Sequence, residues 1–283
     1  MTAPHDARLR VAAIGFLNPA PLMWDFEHPP LDQALAQRYR IDRMSPAECA
    51  VRLESGEADI GLVPIAALAT TPGLRILPGC TIASKGRVRS LLLVRRARQR
   101  LEQLRTVAAD LASRTTLAYA RILFHQWRNP AVSFIPHAAN MEAMLQVADA
   151  AILIGDPALL TLEDRRDRFE HTREELVYHD LAEEWHTLHG LPFVSAVWGA
   201  AQHNAGDESI ARDLIHSRDH GLAHIAALAA EWALRFPLAE SSIRSYFTEN
   251  IHYVLDEDCL EGMRGFFRMA AQFGVLPEYA LSL

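Results

Sequence analysis

Two patches of this 283-residue chain carry side chains whose types and spacing could do chemistry. His216, His220 and His224 stand four residues apart, so a helix would line all three along one face. That spacing can set two imidazoles on one metal ion, as in H-E-x-x-H helices. Here no glutamate takes the general-base position, and no acidic third ligand is obvious nearby. The other patch is Cys80-Thr81-Ile82-Ala83-Ser84-Lys85-Gly86-Arg87-Val88-Arg89-Ser90, polar between apolar neighbours. It reads as strand, turn and strand, with Gly86 at the turn. Ser84 could hydrogen-bond a carboxylate, with Lys85 or Arg89 adding local charge, or the basic residues could be solvated on a plain hairpin. Other signatures are missing. There is no G-x-S-x-G elbow and no Walker loop, and Gly15-Phe16-Leu17-Asn18 lacks the second and third glycines of a dinucleotide fingerprint. Cys49, Cys80 and Cys259 form no C-x-x-C, which argues against a zinc site and a disulfide scaffold alike.

Residues that act on one ligand need elements that end in one place. Val11-Ala12-Ala13-Ile14, Ile60-Gly61-Leu62-Val63 and Ala151-Ile152-Leu153-Ile154 are continuous apolar runs, as strands buried on both faces require. Helical stretches such as 46–54 and 141–147 alternate with them, which predicts an α/β fold with parallel pairing. Asn18-Pro19, Ser45-Pro46 and Asp156-Pro157 each pair a capping residue with proline at a first helical position, and Ser45 to Glu48 spells a capping box. Val63-Pro64 starts a helix from a strand, and Thr115 or Thr116 can cap residues 117–127. Strand ends that feed helix N-termini favour anions at the carboxyl edge of a sheet. Arg95-Arg96-Ala97-Arg98-Gln99-Arg100 is either a basic ligand strip or a solvated crossing between lobes. Apolar residues at three-and-four spacing make the last third helical, with Asp256 capping the final helix. The order predicts two lobes, one of residues 1–94 with 191–283 and an inserted one of 95–190, with a ligand cleft between them.

Composition narrows the function classes. Half the residues are hydrophobic and 22% are charged, which excludes disorder as the main state. A net charge of −7 argues against a general nucleic-acid binder, while leaving room for a small anion held by local positive potential. MTAPHDARLR has no apolar core of signal-peptide length, and no run approaches the roughly 20 residues of a membrane helix. The expectation is a cytoplasmic protein without a membrane partner. Lys85 is the only lysine, a skew that fits genome composition.

The segments GFLNPAP, EADIGLVPIAAL, IASKGRVRSLLL, AADLASRTTLAYARILF, AAILIGDPALL and DLAEEWHTLHGLPFVSAVW run in order from residue 9 to about 200. Together they resemble the chorismate dehydratases of the futalosine route to menaquinone. The resemblance implies an α/β, two-lobed type II periplasmic-binding-protein-like fold with a central ligand cleft, here followed by C-terminal helices. It also implies a lyase that removes water from chorismate, a small dicarboxylate, giving 3-[(1-carboxyvinyl)oxy]benzoate with no metal or organic cofactor. By the same resemblance Asn18 orients the substrate or the leaving hydroxyl, and Ser84 binds a carboxylate and fixes the reactive conformer. Thr115 and Thr116 hold the second carboxylate, Gly155 and Asp156 line the facing wall, and Arg89 and Ser90 match the motif in either a binding or a structural role. The base is then the substrate's own enolpyruvyl carboxylate. Phe16 stands where a tyrosine is common, Pro19 where a small residue is usual, and Ser195 where an aromatic is common. Two alternatives stand beside this reading: a cytoplasmic solute-binding or sensor protein for a small carboxylate, and the related 1,4-dihydroxy-6-naphthoate synthase, whose S-P-C-P-N-D-T-F opening GFLNPAP replaces.

Overall fold

In the computed structural model, which describes residues 8–110, 114–202, 204 and 206–281, the apolar runs become strands of two separate sheets. The first sheet contains β1 (Leu9–Ile14), β2 (Tyr39–Met44), β3 (Ile60–Pro64) and β4 (Leu74–Ser84). The second is made of β5 (Leu91–Arg96), β6 (Thr106–Asp110), β7 (Ser133–His137), β8 (Ala150–Ile154) and β9 (Leu176–Asp180). The chain then returns to the first sheet with β10 (Phe193–Ala201) and a short edge strand, β11 (His252–Val254). The strand orders are β11-β4-β10-β3-β1-β2 and β7-β6-β8-β5-β9. β3 and β8 are buried along their whole length, as their unbroken apolar sequence requires.

Four expectations change. Pairing is mixed: β1 runs parallel to β2 and β3, but β10 is antiparallel to β3 and β4, and β5 is antiparallel to β8 and β9. Antiparallel partners arise because the chain crosses between sheets instead of returning over its own. For the same reason residues 80–90 are no hairpin, since β4 and β5 belong to different sheets and 85–90 bridge them. The crossing therefore precedes Leu91 and does not fall at 94/95. Arg95 and Arg96 end a strand inside the second sheet, where Arg95 reaches His179 and the Gln99 carbonyl and Arg96 pairs with Glu174, so the arginine run is not the crossing.

The capping signals divide. Ser45 and Glu48 form the capping box of helix Pro46–Glu54, and Asp256 accepts from Cys259 N at 2.9 Å. Asn18 and Asp156 cap nothing; the turn Ala20–Met23 and the helix Gly155–Glu163 begin without a side-chain cap. Thr115 and Thr116 lie within the helix Arg114–Gln126, and residues 111–113, where its cap would fall, are outside the described ones. The first seven residues are outside them too.

Two groups set the frame. The buried Asp180 carboxylate takes Ala182 N and Glu183 N on one oxygen and Val88 N and Arg89 N on the other, at 2.6–3.2 Å. It thus caps the helix Leu181–His189 and ties it to the crossing at 85–90. The turn after β1 is backed by the helix Glu208–Ala223, whose Ser217 Oγ accepts from Asp25 N at 3.0 Å. Their contact is closest at Gly221, where a Cβ would fall on the Pro21 carbonyl oxygen. Gly221→Ala is expected to cost about 1–3 kcal/mol, the usual range for overpacking. Thermal denaturation checks this against Gly206→Ala, where a Cβ meets nothing within 4 Å and the melting point should stay close to wild type.

Candidate active site between the two sheets

Strand ends from both sheets line a cleft between them, the kind of place where small-molecule sites commonly form. Ile14, Pro64 and Ile82 come from the carboxyl ends of β1, β3 and β4, and Ile154 from that of β8. The antiparallel strands β5 and β10 contribute their opening residues, Leu91, Ser195 and Ala196. Polarity is supplied by Asn18, Arg114, Thr115, Thr116 and Ser195, and no aspartate, glutamate, histidine or cysteine lines the cavity among the described residues.

Asn18 reaches the cavity because the turn leaves its side chain free. Its Oδ1 is buried without a hydrogen-bond partner, while its main-chain carbonyl accepts from the Tyr253 hydroxyl at 3.0 Å. A buried unsatisfied amide oxygen costs about 1–3 kcal/mol, so a ligand hydroxyl or N–H that meets it recovers that free energy. Thr115 Oγ1 accepts from Ala66 N at 3.1 Å, which leaves its proton to donate. Arg114 brings a positive charge to the wall and sits 3.3 Å from Glu54, both about a third exposed. Gly155 has φ +60, and the Phe16 ring lies 2.5 Å from where a Cβ would stand, so the two lobes touch there without a side chain between them.

Asp156 is near but not in the lining. Its Oδ1 accepts from Leu17 N across the cleft at 2.8 Å. Burial pushes its carboxyl up to about 6, against the opposing pull of the Leu17 N–H.

The remaining expected residues lie outside the lining. Ser84 is buried, donates to the Gly86 carbonyl at 2.8 Å and accepts from Gly86 N at 3.3 Å, holding the start of the crossing. Lys85 is bound to Asp256 and Asp258 at 2.8 and 2.6 Å, so its charge serves the final helix and not the cleft. Arg89 pairs with Glu163 and reaches Ser245 Oγ at 3.2 Å, and Ser90 Oγ accepts from the Tyr246 hydroxyl at 2.7 Å. His220 is bonded to Asp25, and His224 stacks on Trp24 while its Nδ1 meets the His220 carbonyl, so these two imidazoles are already engaged. His252, Asp256 and Cys259 also converge, but that carboxylate is taken by Lys85, His252 and Cys259 N.

Arg114 is the cavity residue that sequence reading passed over. The available signal was a cation in the first turn of a helix, where the dipole opposes it. Phe16 and Ser195 enter the sequence reading only as departures from the resemblance, and both line the cavity.

Two mixed α/β sheets joined by crossing segments around a cleft define a periplasmic-binding-protein-like fold. The protein AF1704 from Archaeoglobus fulgidus is similar over 96% of this chain and 100% of its own, with 15% identity and a TM-score of 0.73. CA3427 from Candida albicans, described as having the generic periplasmic-binding-protein fold, is similar over 96% and 92%, with 14% identity and a TM-score of 0.64. The aliphatic sulphonate-binding protein SsuA from Escherichia coli is similar over 95% and 87%, at 13% identity and a TM-score of 0.63. At these identities the likeness concerns the fold. The family described as menaquinone biosynthesis matches residues 9–272, and the chain belongs to that family. It is therefore a biosynthetic enzyme, and none of its described helices is long and apolar enough to cross a membrane.

The raised Asp156 carboxyl has a consequence for stability. Between its ordinary value of 3.8 and about 6 the folded protein binds more protons than the unfolded chain, so this group's contribution falls as pH rises through that window. Asp156→Asn removes the titration. The melting point of Asp156→Asn minus that of wild type should increase from about pH 4 to about pH 7, a trend that thermal scans at each pH would read. A constant difference would mean the carboxyl titrates normally.

Proposed function

We propose that this enzyme is a chorismate dehydratase, a lyase of the futalosine route that works without a metal or organic cofactor. The observation that carries the reading is the cavity wall: hydrogen-bonding groups and one arginine, with no side chain among the described residues able to take a proton at neutral pH. Such a wall suits an anion that brings its own base. In chorismate the C3–H bond breaks and its electron pair forms the C3=C4 double bond as the C4–O bond breaks. The proton and the departing hydroxyl leave as water, and the ring becomes aromatic. The substrate's enolpyruvyl carboxylate takes the C3 proton.

The protein then contributes position. Asn18 holds the C4 hydroxyl, and Thr115, Thr116 and Arg114 hold the ring carboxylate, with hydrogen bonds that charge makes shorter and stronger. Gly155 and Phe16 close the opposite side. Ser84 joins the carboxylate contacts if its hydroxyl turns away from Gly86; Arg89, Ser90 and Asp156 support the site from behind. The reading puts the enzyme in the cytoplasm, a placement that rests on the family's biosynthetic role.

A wall without a base also fits a protein that binds a small carboxylate and does nothing to it. Incubating the purified protein with chorismate separates the two. Accumulation of 3-[(1-carboxyvinyl)oxy]benzoate supports the lyase, while saturable binding without turnover supports a sensor. Asn18→Ala should lower kcat by more than about tenfold with a smaller change in KM, as expected for an interaction strongest in the transition state. Steady-state kinetics with circular dichroism as the folding control reads this outcome.

A further inference from the structure

An aspartate at the second position of a helix commonly serves that helix's own N–H groups. Asp156 does not. The helix Gly155–Glu163 starts without a side-chain cap, and the carboxylate crosses the cleft to Leu17 N at 2.8 Å. Leu17 is buried between Phe16 and Asn18, the two residues of that turn that line the cavity with their side chains. The turn is therefore gripped at two points from opposite sides. Asp156 of the second lobe holds the Leu17 N–H, and Tyr253 of β11, in the first lobe, holds the Asn18 carbonyl. Beside them the Phe16 ring lies flush on Gly155, where φ is +60 and a Cβ would have no room.

Leu17 and Asp156 belong to different sheets' connections, so their bond exists only with the lobes together. The charge has a cost that a passive contact would not need: burial raises the carboxyl to about 6. Tyr246 is the titratable group facing it from the C-terminal helices, and its hydroxyl is spent on Ser90 Oγ. The Leu17 N–H is the hydrogen bond that offsets this desolvation.

We propose that Asp156 is a positioning residue that couples closure of the lobes to the placement of Asn18 in the cleft. Asn18 is then set for chemistry only when the second lobe has arrived, and an open molecule carries a turn held at one end. The kinetic part of this inference rests on the dehydratase reading; the structural part does not.

The test uses four variants of the whole chain: Asp156→Ala, Asp156→Asn, Asn18→Ala and the double alanine variant. Hydrogen exchange at the Leu17 amide, measured without substrate, should be faster in Asp156→Ala than in wild type and close to wild type in Asp156→Asn, whose amide oxygen still accepts. With chorismate, Asp156→Ala should lower kcat by about tenfold, and Asp156→Asn should restore most of that loss. In an Asn18→Ala background, Asp156→Ala should change kcat by less than about twofold, because residues acting through one another are not additive. Unchanged protection at Leu17 overturns the latch. Full additivity of the two alanine substitutions overturns the link to Asn18. If wild type turns over no chorismate, the dehydratase reading fails, and the exchange measurement still decides the latch.

Discussion

Two stretches of chain join the lobes, and the Asp180 carboxylate holds both. Four main-chain N–H groups converge on it, two from the crossing at 85–90 and two from the first turn of Leu181–His189. Burial works against its charge and the N–H groups work for it. Both connections are thus fixed at one point between the sheets. Everything at the cleft depends on this constraint, because the cavity is formed by groups from both sheets and has no wall of its own.

The walls themselves follow from topology. β1, β3 and β4 end at the cleft, and β10 begins there because it runs antiparallel to β3 and β4. A strand end offers one or two side chains and a connection, so a cavity built from such ends is lined by single residues far apart in sequence. Asn18, Thr115 and Ser195 meet in this way. Among the described residues no carboxylate or imidazole enters that lining, and under the proposed dehydration the enzyme's share is orientation and charge, with the loss of a ring proton and a hydroxyl driven by the aromatic product.

Much of this was legible in the chain. The unbroken apolar runs of β1, β3 and β8, the capping box at Ser45 and the Asp256 cap depend on local spacing, and the structure keeps them. Asn18, Thr115, Thr116 and Gly155 were named from motif resemblance and lie at the cavity. What local spacing does not contain is which sheet a strand joins. Residues 80–90 have the pattern of a hairpin, yet β4 and β5 part to different sheets, and Ser84, Lys85 and Arg89 become fasteners of the crossing. The same blindness hid Arg114, whose neighbours in the cavity are distant in sequence, and β11, too short to show a period.

Asp156 shows how one residue can satisfy a motif while serving a different purpose. Asp-Pro at a helix start is a capping signal, and proline does fix the entry, but Asp156 gives its carboxylate to Leu17 in the other lobe. An apolar residue of similar size would avoid the desolvation that lifts this carboxyl to about 6. It would also leave the Leu17 N–H with no acceptor once the cleft shuts, and would make closure a matter of apolar contact alone. A directional bond selects one closed arrangement among several that bury similar area. Since Asn18 is the next residue along, the arrangement selected is the one that fixes the amide facing the cavity.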